Sequence, residues 1–185
     1  MAASTHVYSQ SEHSQLVPYL AALHASCITH DHMIGTFLPP LHHEKLLSWW
    51  KERIAEVNAG TRVIVLLLAD PEPGQRAQGK ELMGVAMLGM PKSETGPFRG
   101  YVEKVLVSTK YRGHGGARAL MQEIENEAVR HGRRVLTLDV ESDTPAEGAF
   151  RRMGYIEVGK IPKYALSPAT RQMRPQTFFY KDLGA

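Results

Sequence analysis

The chain contains 185 residues, 43% of them hydrophobic, and carries 22 basic and 19 acidic side chains. This length suits one buried core, so we expect a single domain over residues 1–185. The weak, dispersed net charge of +3 argues against a nucleic-acid partner, and no apolar stretch has the length of a membrane helix. The one cysteine, Cys27, excludes an internal disulfide and is expected in the core. Without a signal-peptide pattern, we expect a cytoplasmic protein, with the nucleus not excluded.

The first half of the chain predicts four strands and two helices. Apolar residues recur every three to four positions in the helices, and they alternate or run together in the strands. In chain order these elements are a strand at 5–9, helices at 12–29 and 42–58, and strands at 61–69, 81–90 and 100–108. The polar residues 70–80 predict a hairpin loop between the two middle strands.

The second half predicts alternating helices and strands. They are a helix that ends at Gly132, a strand at 135–141, a helix at 144–152, and strands at 155–160 and 177–181. The order βααβββαβαββ predicts an α/β fold whose mixed sheet is antiparallel in its first half. The strands at 100–108 and 135–141 are joined by one helix, so we expect them to lie parallel at the centre.

A glycine-rich turn joins the strand at 100–108 to the next helix. It consists of Arg112, Gly113, His114, Gly115, Gly116 and Ala117. Glycines permit positive φ angles and a close approach of the backbone to an anion, and the first N–H groups of a helix have no internal partner. The turn therefore predicts a diphosphate site, to which Arg112 adds charge-assisted hydrogen bonds.

Other phosphate motifs fit this turn less well. A Walker-type loop needs Lys and then Ser or Thr after its last glycine, where this chain has Ala117 and Arg118. A dinucleotide motif needs a small sixth residue, which here is Arg118. Asp139 does stand 24 positions after Gly115, at the distance of a ribose-binding acid. The dinucleotide interpretation and a glycine turn without any ligand stay open as alternatives.

The turn also contains the pattern Arg-x-x-Gly-x-Ala, preceded by an apolar strand end. The residues concerned are Val105, Leu106 and Val107, then Arg112, Gly115 and Ala117. This pattern resembles the acyl-CoA pyrophosphate motif of the GCN5-related N-acetyltransferases, the GNAT superfamily. The resemblance extends over residues 99–183 and includes a weaker match at Gly154-Tyr155. The tail at 159–168 and 177–183 resembles the branch that contains the tabtoxin-resistance acetyltransferase.

The resemblance implies a fold and a co-substrate. The fold would be a GNAT-like α/β mixed sheet, with an antiparallel N-terminal half, a splayed parallel central strand pair and flanking helices. The co-substrate would be acetyl-CoA, whose pantetheine arm enters the gap between the central strands. Main-chain groups of Leu106 and Val107 would bind this arm, and the diphosphate would bind to Arg112, Gly113, His114, Gly115, Gly116 and Ala117. No metal is expected, because the histidines form no HExxH-type pair.

Two acidic residues interrupt the apolar central strands. Glu103 and Asp139 would flank the predicted gap, one on each strand, and a carboxylate there is costly unless it is used or paired. We hypothesise that Asp139 takes or orients the proton of the acceptor amine, and that Glu103 assists directly or through water. The structural alternative is that Glu103 pairs with a neighbouring Lys or Arg and that Asp139 caps a turn.

One position departs from the family pattern. Many GNAT enzymes carry a Tyr on the helix after the second central strand, where it can protonate the leaving thiolate, and the matching residue here is Phe150. Water, Tyr155, Tyr164 or another group would then supply the proton, unless the thiolate needs no dedicated acid. Phe150 itself is expected to pack against the pantetheine arm or, as the alternative, in the core.

The candidate acceptor residues lie in segment 163–176, between the last two predicted strands, where the family often shapes its acceptor site. They are Lys163, Tyr164, Arg171 and Arg174. The three cations would hold the carboxylate of an amino-acid-like acceptor, or they are solvated loop charges.

The sequence therefore predicts an acetyl-CoA-dependent N-acetyltransferase that moves the acetyl group directly to the amine of a small molecule. An amino-acid-like toxin or antibiotic is one candidate acceptor. The alternatives are a protein or peptide N-acetyltransferase and a catalytically silent acyl-CoA-binding module. The expected partners are acetyl-CoA and a small amine, with no nucleic acid and no membrane, and a homodimer is one assembly to consider.

Overall fold

The computed structural model describes residues 3–69 and 77–184, so residues 70–76 of the predicted hairpin loop lie outside the described residues. The elements are, in chain order, β1 (Ala3–Val7), α1 (Gln10–His13), α2 (Val17–Asp31), α3 (His43–Asn58), β2 (Arg62–Ala69), β3 (Leu82–Gly89), β4 (Arg99–Val107), α4 (Gly116–Arg130), β5 (Val135–Glu141), α5 (Pro145–Arg152), β6 (Ile156–Leu166) and β7 (Met173–Asp182). No described helix has the length and apolar character needed to cross a bilayer.

The strands form one mixed sheet in the order β1-β2-β3-β4-β5-β7-β6. All neighbouring strands are antiparallel except β4 and β5, which are parallel. This parallel pair is joined only through Arg99–Tyr101 of β4 and residues 135–137 of β5. Beyond these residues the two strands diverge. The predicted fold class, including its splayed central pair, is confirmed.

Two local features accompany the divergence of β4 from β5. In β4, Lys104 has the left-handed φ of 54°, and the pairing with β3 shifts register at this point, so that β4 contains one extra residue. Ser142 directly follows β5, and its hydroxyl oxygen lies 2.7 Å from the hydroxyl oxygen of Thr177 in β7. Thr177 in turn donates to Glu147 of α5 (2.6 Å). These buried contacts anchor the carboxyl end of β5 to β7 and α5.

Two apolar cores lie on opposite faces of the sheet. One contains α4 and Phe150 of α5, packed against side chains such as Val65 and Leu138. The other contains α2 and α3, packed against the alternate side chains of β2, such as Ile64 and Leu66. Because both faces are covered here, every residue of β2 and β3 is buried.

The structure corrects two predicted elements. The helix predicted at 12–29 is divided by a 3-10 turn at Ser14–Leu16, because Pro18 has no N–H to donate and α2 begins afresh beside it. The last two strands are longer than predicted, since β6 continues to Leu166 and β7 starts at Met173. The predicted loop at 163–176 therefore shrinks to 167–172.

Candidate active site

The gap between β4 and β5 opens beside Leu106 and Val107. Both residues pair with β3 on one side, but among the described residues no strand pairs with residues 102–107 on the β5 side. The two side chains are only 1% and 9% exposed and belong to cores on opposite faces. A ligand in the gap would therefore reach main-chain groups, and the predicted contacts of these two residues stay a prediction.

The glycine turn has a geometry that suits an anion. Gly113 and Gly115 have left-handed φ angles of 78° and 81°, and a Cβ added to either would meet nothing within 4 Å. Gly115 is the N-cap of α4 and provides no side chain to bind the first N–H groups of the helix. These N–H groups are therefore available to phosphate oxygens. The residues fit a diphosphate.

The other residues of the turn support its shape. A Cβ added to Gly116 would lie 2.8 Å from Cδ2 of Leu67, so this glycine allows α4 to pack closely on β2. The exposed His114 is held by a contact of 2.8 Å between its Nδ1 and the Arg112 carbonyl oxygen. Ala117 is half-buried against the core beneath α4.

The guanidinium of Arg112 already forms hydrogen bonds with other groups of the protein. Its Nε donates to the Val107 carbonyl (3.0 Å), and its two terminal nitrogens bind both carboxylate oxygens of Asp31, at the end of α2, with Nη1 at 2.9 Å. The bidentate pair fixes the turn to α2. The predicted role of the Arg112 guanidinium in phosphate binding stays a prediction, and that role would require it to share or leave Asp31.

Glu103 forms an ion pair with an arginine, as the structural alternative predicted. Its carboxylate forms a salt bridge with Arg62, whose side chain is 3% exposed and also binds Glu56 at 2.5 Å. Arg62 further donates to the hydroxyl of Tyr101 (3.1 Å). This network holds Glu103 against β2 and α3, on the sheet face opposite α4.

Asp139 lies in the diverging part of β5, opposite Phe178 of β7. Its side chain has no hydrogen bond or ion pair with the described residues, so the predicted alternative, that it caps a turn, is wrong. Asp139 is exposed by its surface area, yet partial burial raises the pKa of its carboxyl group. The charge of Lys104 opposes this rise, and that of Glu103 adds to it.

Lys104 is a site residue that the sequence reasoning missed. The bulge of β4 directs its ammonium to a point 5.4 Å from the centre of the Trp49 ring. No carboxylate of the described residues lies within salt-bridge distance. Burial lowers the pKa of Lys104, with Arg62 and Arg53 contributing, while Glu103 and Asp139 oppose the change. The sequence signal that could have identified Lys104 was a lysine next to an acidic residue, Glu103, inside an apolar strand.

Aromatic rings from α2, α3 and the segment between them pack around Trp49, the ring that contacts this ammonium. His24 is fully buried, and its ring packs against Phe37 at 5.8 Å and Trp49 at 5.3 Å. Neither ring nitrogen of His24 has a hydrogen-bond partner among the described residues. Burial, with a smaller contribution from Lys104, lowers the pKa of His24 to about 3, so the ring is neutral. These residues form an aromatic wall beside the gap.

A model described as the acetyltransferase (GNAT) family matches residues 34–155, more than half of the chain. The chain belongs to this family. It is an acetyl-CoA-dependent N-acetyltransferase, and the predicted family, enzyme class and co-substrate are confirmed.

Solved structures show the same fold at low sequence identity. A proposed phosphinothricin N-acetyltransferase is 16% identical, with a TM-score of 0.76 and full coverage of both chains. The proposed acetyltransferase yncA of Salmonella typhimurium, solved with acetyl-CoA, is 16% identical, with a TM-score of 0.73 and coverage of 100% of this chain and 96% of that one. The ribosomal-protein-alanine N-acetyltransferase of Brucella melitensis is 20% identical, with a TM-score of 0.71 and coverage of 97% and 99%.

Phe150 and the two candidate proton donors of this GNAT enzyme, Tyr155 and Tyr164, differ in their exposure to solvent. Phe150, at the family's Tyr position, is 8% exposed and packs against Tyr155 and Phe179. Tyr155 is 3% exposed, and burial raises the pKa of its hydroxyl, with Glu125 adding to the rise. Tyr164 is 51% exposed and meets the ring of Phe178 edge-on at 5.1 Å. The predicted contact of Phe150 with the co-substrate stays a prediction.

The predicted acceptor cations of the acetyltransferase do not converge on one point. Arg174 pairs with Glu141 at 2.7 Å, and Arg171 donates to the carbonyl of Pro39, in the segment between α2 and α3. Lys163 is exposed in β6, where it has a left-handed φ of 55°. To bind an acceptor carboxylate, Arg171 and Arg174 would have to leave their contacts with Pro39 and Glu141. The predicted carboxylate clamp stays a prediction.

Proposed function

We propose that this acetyltransferase moves the acetyl group of acetyl-CoA directly to the amine of a small molecule, with an amino-acid-like compound as one candidate. The observation that carries the proposal is Asp139, a carboxylate that forms no ion pair with the described residues and lies in the part of β5 that diverges from β4. An acceptor ammonium with a pKa of about 10 must lose a proton before it attacks, and a carboxylate at the gap can receive that proton.

The chain supplies the groups that this reaction needs. Acetyl-CoA supplies the activated acyl group as a thioester. Asp139 takes the proton of the acceptor ammonium, and the positive charge of Lys104 opposes the rise in the pKa of Asp139 that burial causes. Glu103 is held by Arg62 and contributes negative charge beside the amine, directly or through water. General-base catalysis of this kind contributes about 10²–10⁴ in rate.

The proton for the leaving thiolate has two candidate sources. Phe150 cannot provide it, and Tyr155 is buried in the core beneath α4. Tyr164 is exposed and packs on Phe178, the residue opposite Asp139 in the sheet. We therefore assign the proton to water or to Tyr164.

The shape around the acceptor side supports a small molecule over a peptide. The hydrogen bond from Arg171 to the Pro39 carbonyl joins the turn between β6 and β7 to the segment between α2 and α3. The aromatic wall, with Phe37 and Trp49, bounds the same side. An extended peptide would have to displace this connection, whereas a small amine would fit beneath it.

The test measures thiol release from acetyl-CoA with amino acids, aminoglycosides, polyamines and short peptides. We expect turnover to be higher with free amines than with peptides. Asp139→Asn should lower kcat about 10²–10⁴-fold without weakening acetyl-CoA binding, and Glu103→Gln should have a smaller effect.

Peptides as the better acceptors would contradict the small-molecule proposal. Unchanged turnover in both variants would contradict the assigned residues, and no thiol release with any amine would indicate a silent binding module.

A further inference from the structure

A cationic depression lies between α4 and α5, outside the gap. It has a volume of about 180 Å³ and receives Arg118 and Glu125 from α4, Arg152 from the end of α5, and Lys181 from β7. Lys181 is already neutralised, because it binds both oxygens of Glu125 at 2.8 and 2.9 Å and also the Met153 carbonyl at 3.0 Å. The net charge of the depression is therefore carried by the two arginines.

Arg118 and Arg152 have no partner of their own in the part of the chain that the structure describes. Neither guanidinium forms a hydrogen bond or an ion pair with any described residue, and both side chains are exposed. Arg152 folds back along α5, so that its Nη1 lies 3.3 Å from the position of a Cβ added to Gly148. Two like charges facing one depression repel each other, and an anion bound between them would remove this repulsion.

Arg118 lines the depression and also lies next to the phosphate turn. Arg118 is the third residue of α4, directly after Gly116 and Ala117. A diphosphate bound at the turn would therefore place its adjoining ribose beside Arg118. In acetyl-CoA that ribose carries a 3′-phosphate, a monoester with a charge of about −1.5 to −2 at pH 7. Arginine binds phosphate oxygens through two parallel N–H groups.

We propose that Arg118 and Arg152 bind the 3′-phosphate of acetyl-CoA and make the enzyme discriminate against the dephosphorylated cofactor. The inference rests on the use of acetyl-CoA and not on the identity of the acceptor. Because both arginines are exposed to solvent, each contributes modestly, about fivefold in affinity.

The experiment compares the Kd of acetyl-CoA with that of 3′-dephospho-acetyl-CoA by calorimetry. We expect the unmodified protein to prefer acetyl-CoA at least about tenfold. Arg118→Met and Arg152→Met, which keep most of the aliphatic stem, should each reduce the preference about fivefold, and the double variant should abolish it. Arg130→Met is the matched control, because Arg130 lies on the same helix but binds Glu123 and Glu127. It should leave the preference unchanged.

Each contrary outcome identifies what has failed. Equal affinity of the unmodified protein for both cofactors, or full preference in the double variant, would overturn the proposal and leave acetyl-CoA use intact. No binding of either cofactor would contradict acetyl-CoA use itself. Inorganic phosphate is titrated alone as a further arm. Phosphate binding that the double variant loses, without any cofactor preference in the unmodified protein, would indicate a general phosphate site and overturn the proposal.

Discussion

The charge of Lys104 affects the pKa of Asp139 across the gap between β4 and β5. The ammonium of Lys104 lowers the pKa of Asp139, which burial would otherwise raise further. A base must be ionised to act, so activity should fall as the pH drops through the pKa of Asp139. Lys104→Met should raise this pKa and move the acid limb of kcat/KM to higher pH. The measurement is the pH profile of thiol release.

Lys104→Arg is the matched control, because it keeps the positive charge and the same left-handed backbone position. Its acid limb should stay near that of the unmodified protein, while its KM for the acceptor is free to change. An acid limb that is the same in Lys104→Met and the unmodified protein would show that Asp139 is not the base that the profile reports.

The buried His24 should make stability depend on pH. Its pKa is about 3 in the folded protein, against about 6.5 in an unfolded chain. Below pH 6.5 the unfolded chain binds a proton that the folded protein excludes, so the free energy of unfolding falls as pH drops from about 6.5 to about 3. The slope from this residue is at most about 1.4 kcal/mol per pH unit.

His24→Leu should remove this part of the slope. Urea unfolding at pH 7, 6 and 5 measures it, and comparison of slopes cancels the other titrating groups. His30→Leu serves as control, because His30 is exposed on the same helix. Equal slopes in His24→Leu and the unmodified protein would mean that the ring is protonated in the fold.

At the scale of elements, the junction of β4 with α4 depends on backbone geometry. Gly115 has a left-handed φ of 81°, and an L-residue in that conformation costs about 1–2 kcal/mol. Gly115→Ala should therefore destabilise the protein. It should also weaken acetyl-CoA binding about tenfold or more, because the first N–H groups of α4 would be misdirected. Calorimetry and urea unfolding measure the two effects.

Gly60→Ala is the control that separates the effect of backbone strain on stability from the effect on acetyl-CoA binding. Gly60 follows the end of α3 with a φ of 69°, and a Cβ there also meets nothing within 4 Å. This variant should lose a similar amount of stability and keep its affinity for acetyl-CoA. If the two variants bound acetyl-CoA equally well, the turn would not be the diphosphate site.

The elements also show where local sequence signals were insufficient. The strands predicted at 155–160 and 177–181 ended too early and started too late, since β6 includes Pro162 and β7 includes Pro175. β6 lies at the edge of the sheet, where a missing N–H is tolerated. The register shift between Ile161 and Ala165 further relaxes the pairing beside Pro175. Edge position is a property of the sheet and cannot be read from the strand alone.

At the scale of the whole molecule, acetyl-CoA binding should stabilise the fold. A ligand at a hundred times its Kd adds about 2.7 kcal/mol, which for a protein of this size raises Tm by about 5–10 °C. Thermal unfolding with acetyl-CoA, with CoA and with NADH measures the effect. We expect a rise with the two CoA compounds. A rise with NADH alone would favour the dinucleotide interpretation of the glycine turn.

The sequence by itself determined the element order, the glycine turn and the family resemblance, because these depend on residues close together in the chain. Alternating or continuous apolar runs define strands, and Arg112 to Ala117 are six consecutive residues whose backbone properties are local. Glu103 and Asp139 were also visible, since an acid in an apolar strand requires an explanation.

The tertiary structure alone decided which groups neutralise or restrain these residues. Glu103 binds Arg62 across 41 positions of sequence, and Arg112 binds Asp31 across 81. The bulge at Lys104 brings its ammonium to Trp49 of α3, and Arg118 and Arg152 meet only where α4 and α5 lie side by side. Electrostatic interactions fall with distance in space and are indifferent to distance along the chain. For that reason Glu103, Asp139 and Arg112 could be named from the sequence, while Lys104 and the partners of these charges could not.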